Sequence, residues 1–120
     1  MDPFQPLREH LLGIPGVTER LSHGSPAFFA PKGKGICNFL DDHHGDGRLA
    51  VWMAAPPGTQ ETLVAEDPDV YFRPPYVGHR GWLGVCIDKG LDLEVVREHL
   101  DAALETVEPT RRSRPDVSPS

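Results

Sequence analysis

Apolar residues recur at two different periods along this chain. Towards the end, Leu93, Val96, Leu100, Ala103, Leu104 and Val107 fall on one face of a helix, while Glu94, Arg97, Glu98, Asp101 and Glu105 cover the other. Asp92 precedes them and offers an oxygen to the free amides of the first turn. At the start, Phe4, Leu7 and Leu11 repeat at helical spacing after Asp2-Pro3, a capping residue followed by a proline that the first turn tolerates. Gly13 and Pro15-Gly16 end that run. A third helix is predicted from about 60 to 66, with Thr59 as its cap, Glu61 in its first turn and Pro68 as its stop.

Between these helices the period falls to two. PAFFA (26–30), ICNFLD (36–41) and RLAVWMA (48–54) read as strands, and so do VYFR (70–73) and GWLGVCID (81–88). PKGKG (31–35) and DDHHGDG (41–47) read as turns, and Thr18 is expected to cap a short helical turn through Leu21. The predicted order is α-β-β-β-α-β-β-α. Short links imply an antiparallel sheet, and helices with one apolar stripe imply packing mainly on one sheet face. The expected fold class is therefore α+β, two-layered, with a five-stranded antiparallel sheet.

Alternation also gives the second face an identity. Leu49, Val51 and Met53 share one face, as do Leu83, Val85 and Ile87. If these sets meet the helices, Trp52 and Trp82 point the other way, beside Ala50, Ala54 and Gly84. Large aromatics next to small residues make a binding floor on an open sheet face.

Charge narrows the partners. The net charge is −6. Setting aside the three arginines and one aspartate after Pro109 leaves 9 basic and 17 acidic side chains, a net of −8. Such a domain gains little from counterion release on a nucleic-acid backbone. A single domain over 1–108 is expected, followed by a disordered tail over 109–120. No leader or spanning segment stands out, so a cytoplasmic protein with no membrane partner is expected. Cys37 and Cys86 sit in apolar runs and read as buried free thiols.

Three stretches carry a family likeness: IPGVTE (14–19) with His23-Gly24 after it, PPYVGHRGWLGVCID (74–88), and the closing helix with its ALETV end. Over about Leu7 to Val107 the chain resembles the MmcQ/YjbR-like proteins, small bacterial domains commonly described as DNA-binding. The resemblance implies a two-layer fold similar to the secretion-chaperone-like architecture. It also implies nucleic acid as a partner. Two departures remove positive charge from the sheet face. Many members carry a lysine where this chain reads Met53-Ala54-Ala55-Pro56, and many carry a basic or polar residue at the place of Cys86. Both argue against duplex DNA.

The densest chemistry before the tail is RPPYVGHRGW (73–82). Arg73, His79 and Arg80 with Tyr76 between them and Trp82 after them suit a phosphate, a carboxylate or a nucleobase. Together with Trp52 they form the expected ligand-binding set. DDHHGDG lacks the twelfth-position carboxylate of a calcium loop, where Met53 stands, and PKGKG lacks the spacing of a phosphate loop. No metal, cofactor or catalytic set is expected. The reading is a non-enzymatic binding module, monomer or homodimer, for nucleic acid or an anionic small molecule. The alternatives are a chaperone-like protein-interaction domain and a small-molecule enzyme using His79 or His23.

Overall fold

In a computed structural model, residues 2–109 are described. The expected disordered tail beyond them lies outside the described residues. Three helices, α1 (Gln5–Leu12), α2 (Thr59–Glu66) and α3 (Leu93–Val107), accompany six strands: β1 (Thr18–Ser22), β2 (Ser25–Phe29), β3 (Gly35–Asp41), β4 (Leu49–Met53), β5 (Tyr71–Phe72) and β6 (Leu83–Cys86). The strands form one open antiparallel sheet in the order β1-β2-β3-β4-β6-β5. The element order is thus α-β-β-β-β-α-β-β-α, and the sheet has six strands where five were expected.

The additional strand is β1, which replaces the helical turn expected over 18–21. Its partner β2 follows after only two residues, with Ser22 facing Ser25. The connecting His23 and Gly24 both have left-handed backbones, φ 52° and 83°. That is the two-residue hairpin geometry whose twist matches the flanking strands. Arg8 on α1 fixes the strand from the other side, with Nε 3.1 Å from Glu19 Oε1 and Nη1 2.7 Å from Asp2 Oδ2.

The helix ends follow local chemistry. Asp92 Oδ1 accepts from the Glu94 amide at 2.9 Å and opens α3. At α2 the expected cap is displaced by one residue. Gly58, with φ 85°, takes the capping position and Thr59 becomes the first residue of the helix. Pro56-Pro57 leaves the chain needing a reversal there, which glycine makes without steric cost.

Strand register separates the two faces. Cys37 pairs with Met53, Phe39 with Val51, and Val51 in turn with Val85. These side chains meet α1 and α3. Phe39 stacks on Phe4 at 4.6 Å between ring centroids and tilts against Phe28 at 4.7 Å. Leu7, Leu11, Val96, Leu100 and Ala103 close the layer, all fully buried. The opposite face carries Asn38, Trp52 and Gly84 in one row across β3, β4 and β6. Phe72 pairs with Gly84, and a Cβ on Gly84 would overlap its ring. Here a glycine is required by close packing rather than by its backbone freedom.

Cys37 and Cys86 are free and buried, on opposite faces of the sheet. Burial pushes both thiols up. No helix among the described residues is long and apolar enough to cross a membrane.

One half-buried pair ties α3 to the sheet edge. The Tyr71 hydroxyl and His99 Nε2 lie 2.8 Å apart, with the rings edge to face. Burial holds His99 below the ordinary histidine value of 6.5, which favours the neutral ring, and a neutral ring protonated on Nδ1 accepts the hydrogen bond of the tyrosine hydroxyl at Nε2. The unfolded chain binds the proton more readily than the folded one. Stability from this residue is therefore present above about pH 6.5 and lost as pH falls through the folded value. His99→Gln is expected to flatten the fall in unfolding midpoint between about pH 7 and 5.5, as read by thermal denaturation. An unchanged slope would contradict this assignment.

Candidate functional site

The face away from the helices is not the open surface that alternation suggested. Trp52 and Trp82 do project to that side, but only 6% and 8% of their surface is exposed. Two loops of the chain itself fold over them: the link between β3 and β4 (42–48) and the link between β5 and β6 (73–82). Each loop contains a short helical turn, His43–Gly45 and Gly78–Arg80. Large indoles on a sheet face expose too much apolar area to stay bare, and the loops remove that area from water.

The cover is incomplete. Between sheet and loops lies a cavity of about 740 Å³, within the usual range of small-molecule sites. Trp52, Trp82, Tyr76 and Val77 supply apolar walls, and Asn38 and Leu40 belong to its floor on β3. His23, His43, His44 and Arg80 are the other titratable groups that line it besides Tyr76, and no carboxylate does.

Aromatic contacts build the roof. The His43 ring stands edge-on to Trp52 at 4.7 Å, touches His44 at 4.1 Å and lies 6.2 Å from Tyr76. The Arg80 guanidinium sits 5.5 Å from the Trp82 ring centre. The 42–48 loop is braced from within: Asp42 Oδ1 accepts from the Gly47 amide at 2.7 Å, and Asp46 Oδ1 from the Arg48 amide at 2.8 Å.

The second loop is held by α2. Gln60 is 4% exposed. Its Nε2 donates to the carbonyls of Gly78 at 2.9 Å and Trp82 at 2.5 Å. Its Oε1 lies 3.4 Å from Arg73 Nη1, and the Arg73 side chain packs against Gly78. One amide thus pins both ends of the turn that carries His79 and Arg80.

Backbone strain gathers at the same place. The non-glycine residues with left-handed backbones among the described residues are His23, Asp42, His44 and Tyr76. Three of the four line the cavity, and Asp42 braces the loop beside it. Each such residue costs on the order of 1–3 kcal/mol, and such strain gathers at ligand sites and switches.

Of the six residues expected from sequence to bind a ligand, the structure brings Trp52, Tyr76, Arg80 and Trp82 around one cavity. Arg73 and His79 do not line it. Arg73 backs the loop through Gln60, and His79 is exposed on the turn. Sequence reasoning assigned no binding role to His43, His44 or Asn38. The signal for Asn38 was a polar residue at a buried phase of an otherwise apolar strand. The two histidines were weighed only against metal-loop patterns and read as part of a polar turn.

The YjbR family model matches residues 12–106. The chain belongs to the YjbR family. The match spans both loops and the whole sheet of this YjbR domain. Among solved structures, Deinococcus radiodurans protein DR2400, which carries a DUF419 domain, superposes with a TM-score of 0.75 at 18% identity. The match covers 94% of this chain and 88% of that one. At that identity the likeness speaks for the fold. No curated protein matches.

Proposed function

We propose that this YjbR domain is a non-enzymatic binding module whose site is the roofed cavity, and that it takes a flat, anionic molecule of nucleotide size. The observation that carries this reading is the lining. Aromatic walls are joined by Arg80 and three histidines with no carboxylate, in a chain of net charge −6. A concave place lined by Arg80 and three histidines with no acid is a local departure from the negative field of so acidic a chain, and it suits a negatively charged ligand. Aromatic faces with a guanidinium at the rim suit a ring that bears a phosphate or carboxylate.

Nucleic acid enters this reading only as an unstacked base of a single strand. Duplex would meet the loop tips, since both indoles lie beneath them. The enzyme alternative through His79 and His23 has less support, because His79 stands off the cavity that His23 lines. The protein-interaction alternative draws on a different feature. β1 is an unpaired sheet edge, and Leu21 on it is 76% exposed.

The test is tryptophan fluorescence at low salt, titrated with nucleoside monophosphates, short single-stranded oligonucleotides and duplex. Saturable quenching by the first or second, with a weaker response to duplex, is expected. Arg80→Ala should weaken it at least fivefold. A flat response to every ligand would refute the reading.

A further inference from the structure

Among the described residues, the polar side chain on the sheet floor of the cavity, Asn38, has no hydrogen-bond partner in the protein. Asn38 lies mid-sheet, paired in register with Ala27 on one side and Trp52 on the other. It lines the cavity and is half-buried, and its side-chain amide makes no hydrogen bond among the described residues. Its neighbour Trp52 is buried, and its Nε1 is a fully occluded donor with no acceptor among the described residues. Most buried polar side-chain atoms in folded proteins have partners, and a buried donor left alone costs about 1–3 kcal/mol. The Asn38 amide is different: it is not sealed away but open to the cavity that its residue lines, next to Trp52 on the neighbouring strand.

A simple aromatic anion leaves that amide unpaired. An aromatic acid or phosphate ester offers its charge at one end and a featureless hydrocarbon edge at the other. The Asn38 amide presents a carbonyl acceptor and an NH₂ donor side by side. Its complement is a flat ring with a donor and an acceptor on neighbouring positions, which is the edge of a nucleobase. The polarity of the cavity runs the same way. The unpaired amide belongs to the sheet floor, whereas Arg80 is exposed at the rim with His44.

We propose that the ligand enters base-first: the Asn38 amide reads the donor–acceptor edge of a nucleobase, the aromatic walls flank the ring, and the phosphate stays at the mouth with Arg80. This rests on the cavity being the binding site and adds the class of ligand and its orientation. Asn38 is then the specificity-determining residue. A free nucleotide and an unstacked base of a strand share this chemistry.

Calorimetric titration of the full chain separates the cases. The probes are AMP, GMP, CMP and UMP, 1-naphthyl phosphate as a flat anion without a base edge, ribose 5-phosphate as an anion without a ring, and a short oligoadenylate. At least one nucleotide is expected to bind tenfold or more tightly than naphthyl phosphate, and ribose 5-phosphate hardly at all. Asn38→Leu should weaken the nucleotide at least tenfold and leave naphthyl phosphate within about twofold. Should Asn38→Leu fail to fold, Asn38→Ala removes both the donor and the acceptor without adding charge, and the same tenfold selective loss is expected.

Naphthyl phosphate binding as tightly as every nucleotide, or an Asn38 variant that weakens all probes equally or none, would overturn the base-first orientation while leaving the cavity as an anion site. Silence from every probe would remove both. Tighter binding of oligoadenylate than of AMP would mark a strand as the source of the base, and the reverse a free nucleotide. Either order supports the proposal when the Asn38 loss is seen.

Discussion

Phe39→Ala is expected to remove about 3–5 kcal/mol of stability, a large share of what a domain of this size has. The ring is 2% exposed and lies where three elements meet. Phe4 from the approach to α1 stacks on it nearly parallel, at an interplanar angle of 9°, and Phe28 from β2 tilts against it. The Arg8 guanidinium stands 5.7 Å from its centre and in the same side chain reaches Glu19 on β1. Truncation opens a void that the rigid sheet beneath cannot close, so the cavity cost adds to the lost burial. Urea denaturation checks this. The midpoint should fall sharply with little change in slope, and Phe39→Leu should lose much less. A loss below about 1 kcal/mol for the alanine variant would mean that the α1 layer does not depend on this stack.

Gln60→Ala comes second, at about 2–4 kcal/mol. The change deletes two donated hydrogen bonds and leaves the carbonyls of Gly78 and Trp82 buried without them. Its consequence is local as well as global. The turn Gly78–Arg80 has little else from α2 to hold it, and the cavity wall formed by Val77, Arg80 and Trp82 depends on its position. Amide hydrogen exchange should accelerate across 78–82 by more than tenfold, with the α3 amides far less affected. Uniform acceleration through the whole chain, or none in this turn, would show that Gln60 does not position the loop.

Much of the architecture was legible in the residues. The α3 stripe from Leu93 to Val107 needed no tertiary information. The alternation around Trp52 and Trp82 gave the correct phase, since a period of two leaves only one choice once Val51 and Val85 are assigned to the core. β1 was illegible for a physical reason. Thr18-Glu19-Arg20-Leu21-Ser22 is an edge strand whose one large apolar residue is exposed, so it carries no burial signal. Its hairpin uses His-Gly in place of the Asn-Gly that marks such turns most strongly.

The site divides in the same way. Tyr76, Arg80 and Trp82 declared themselves by density in one short stretch, and Trp52 by phase. That 42–48 folds back over Trp52 is a tertiary event. It is set by His43 meeting an indole from another strand, and no local pattern encodes that meeting. Arg73 shows the converse. It has the chemistry of a ligand-binding residue, yet its side chain is spent against Gly78 and Gln60.

The central claim is that the space between the sheet face and its two covering loops is where this protein meets its ligand. The indole N–H resonances of Trp52 and Trp82 report on that space directly. In a ¹⁵N-resolved NMR titration with AMP and GMP, both indole signals and the Asn38 side-chain NH₂ pair are expected to shift together along one saturable curve, while the α3 amide signals stay in place. Shifts confined to the outer face of the helices, or to the Leu21 edge, with both indole signals still, would contradict it.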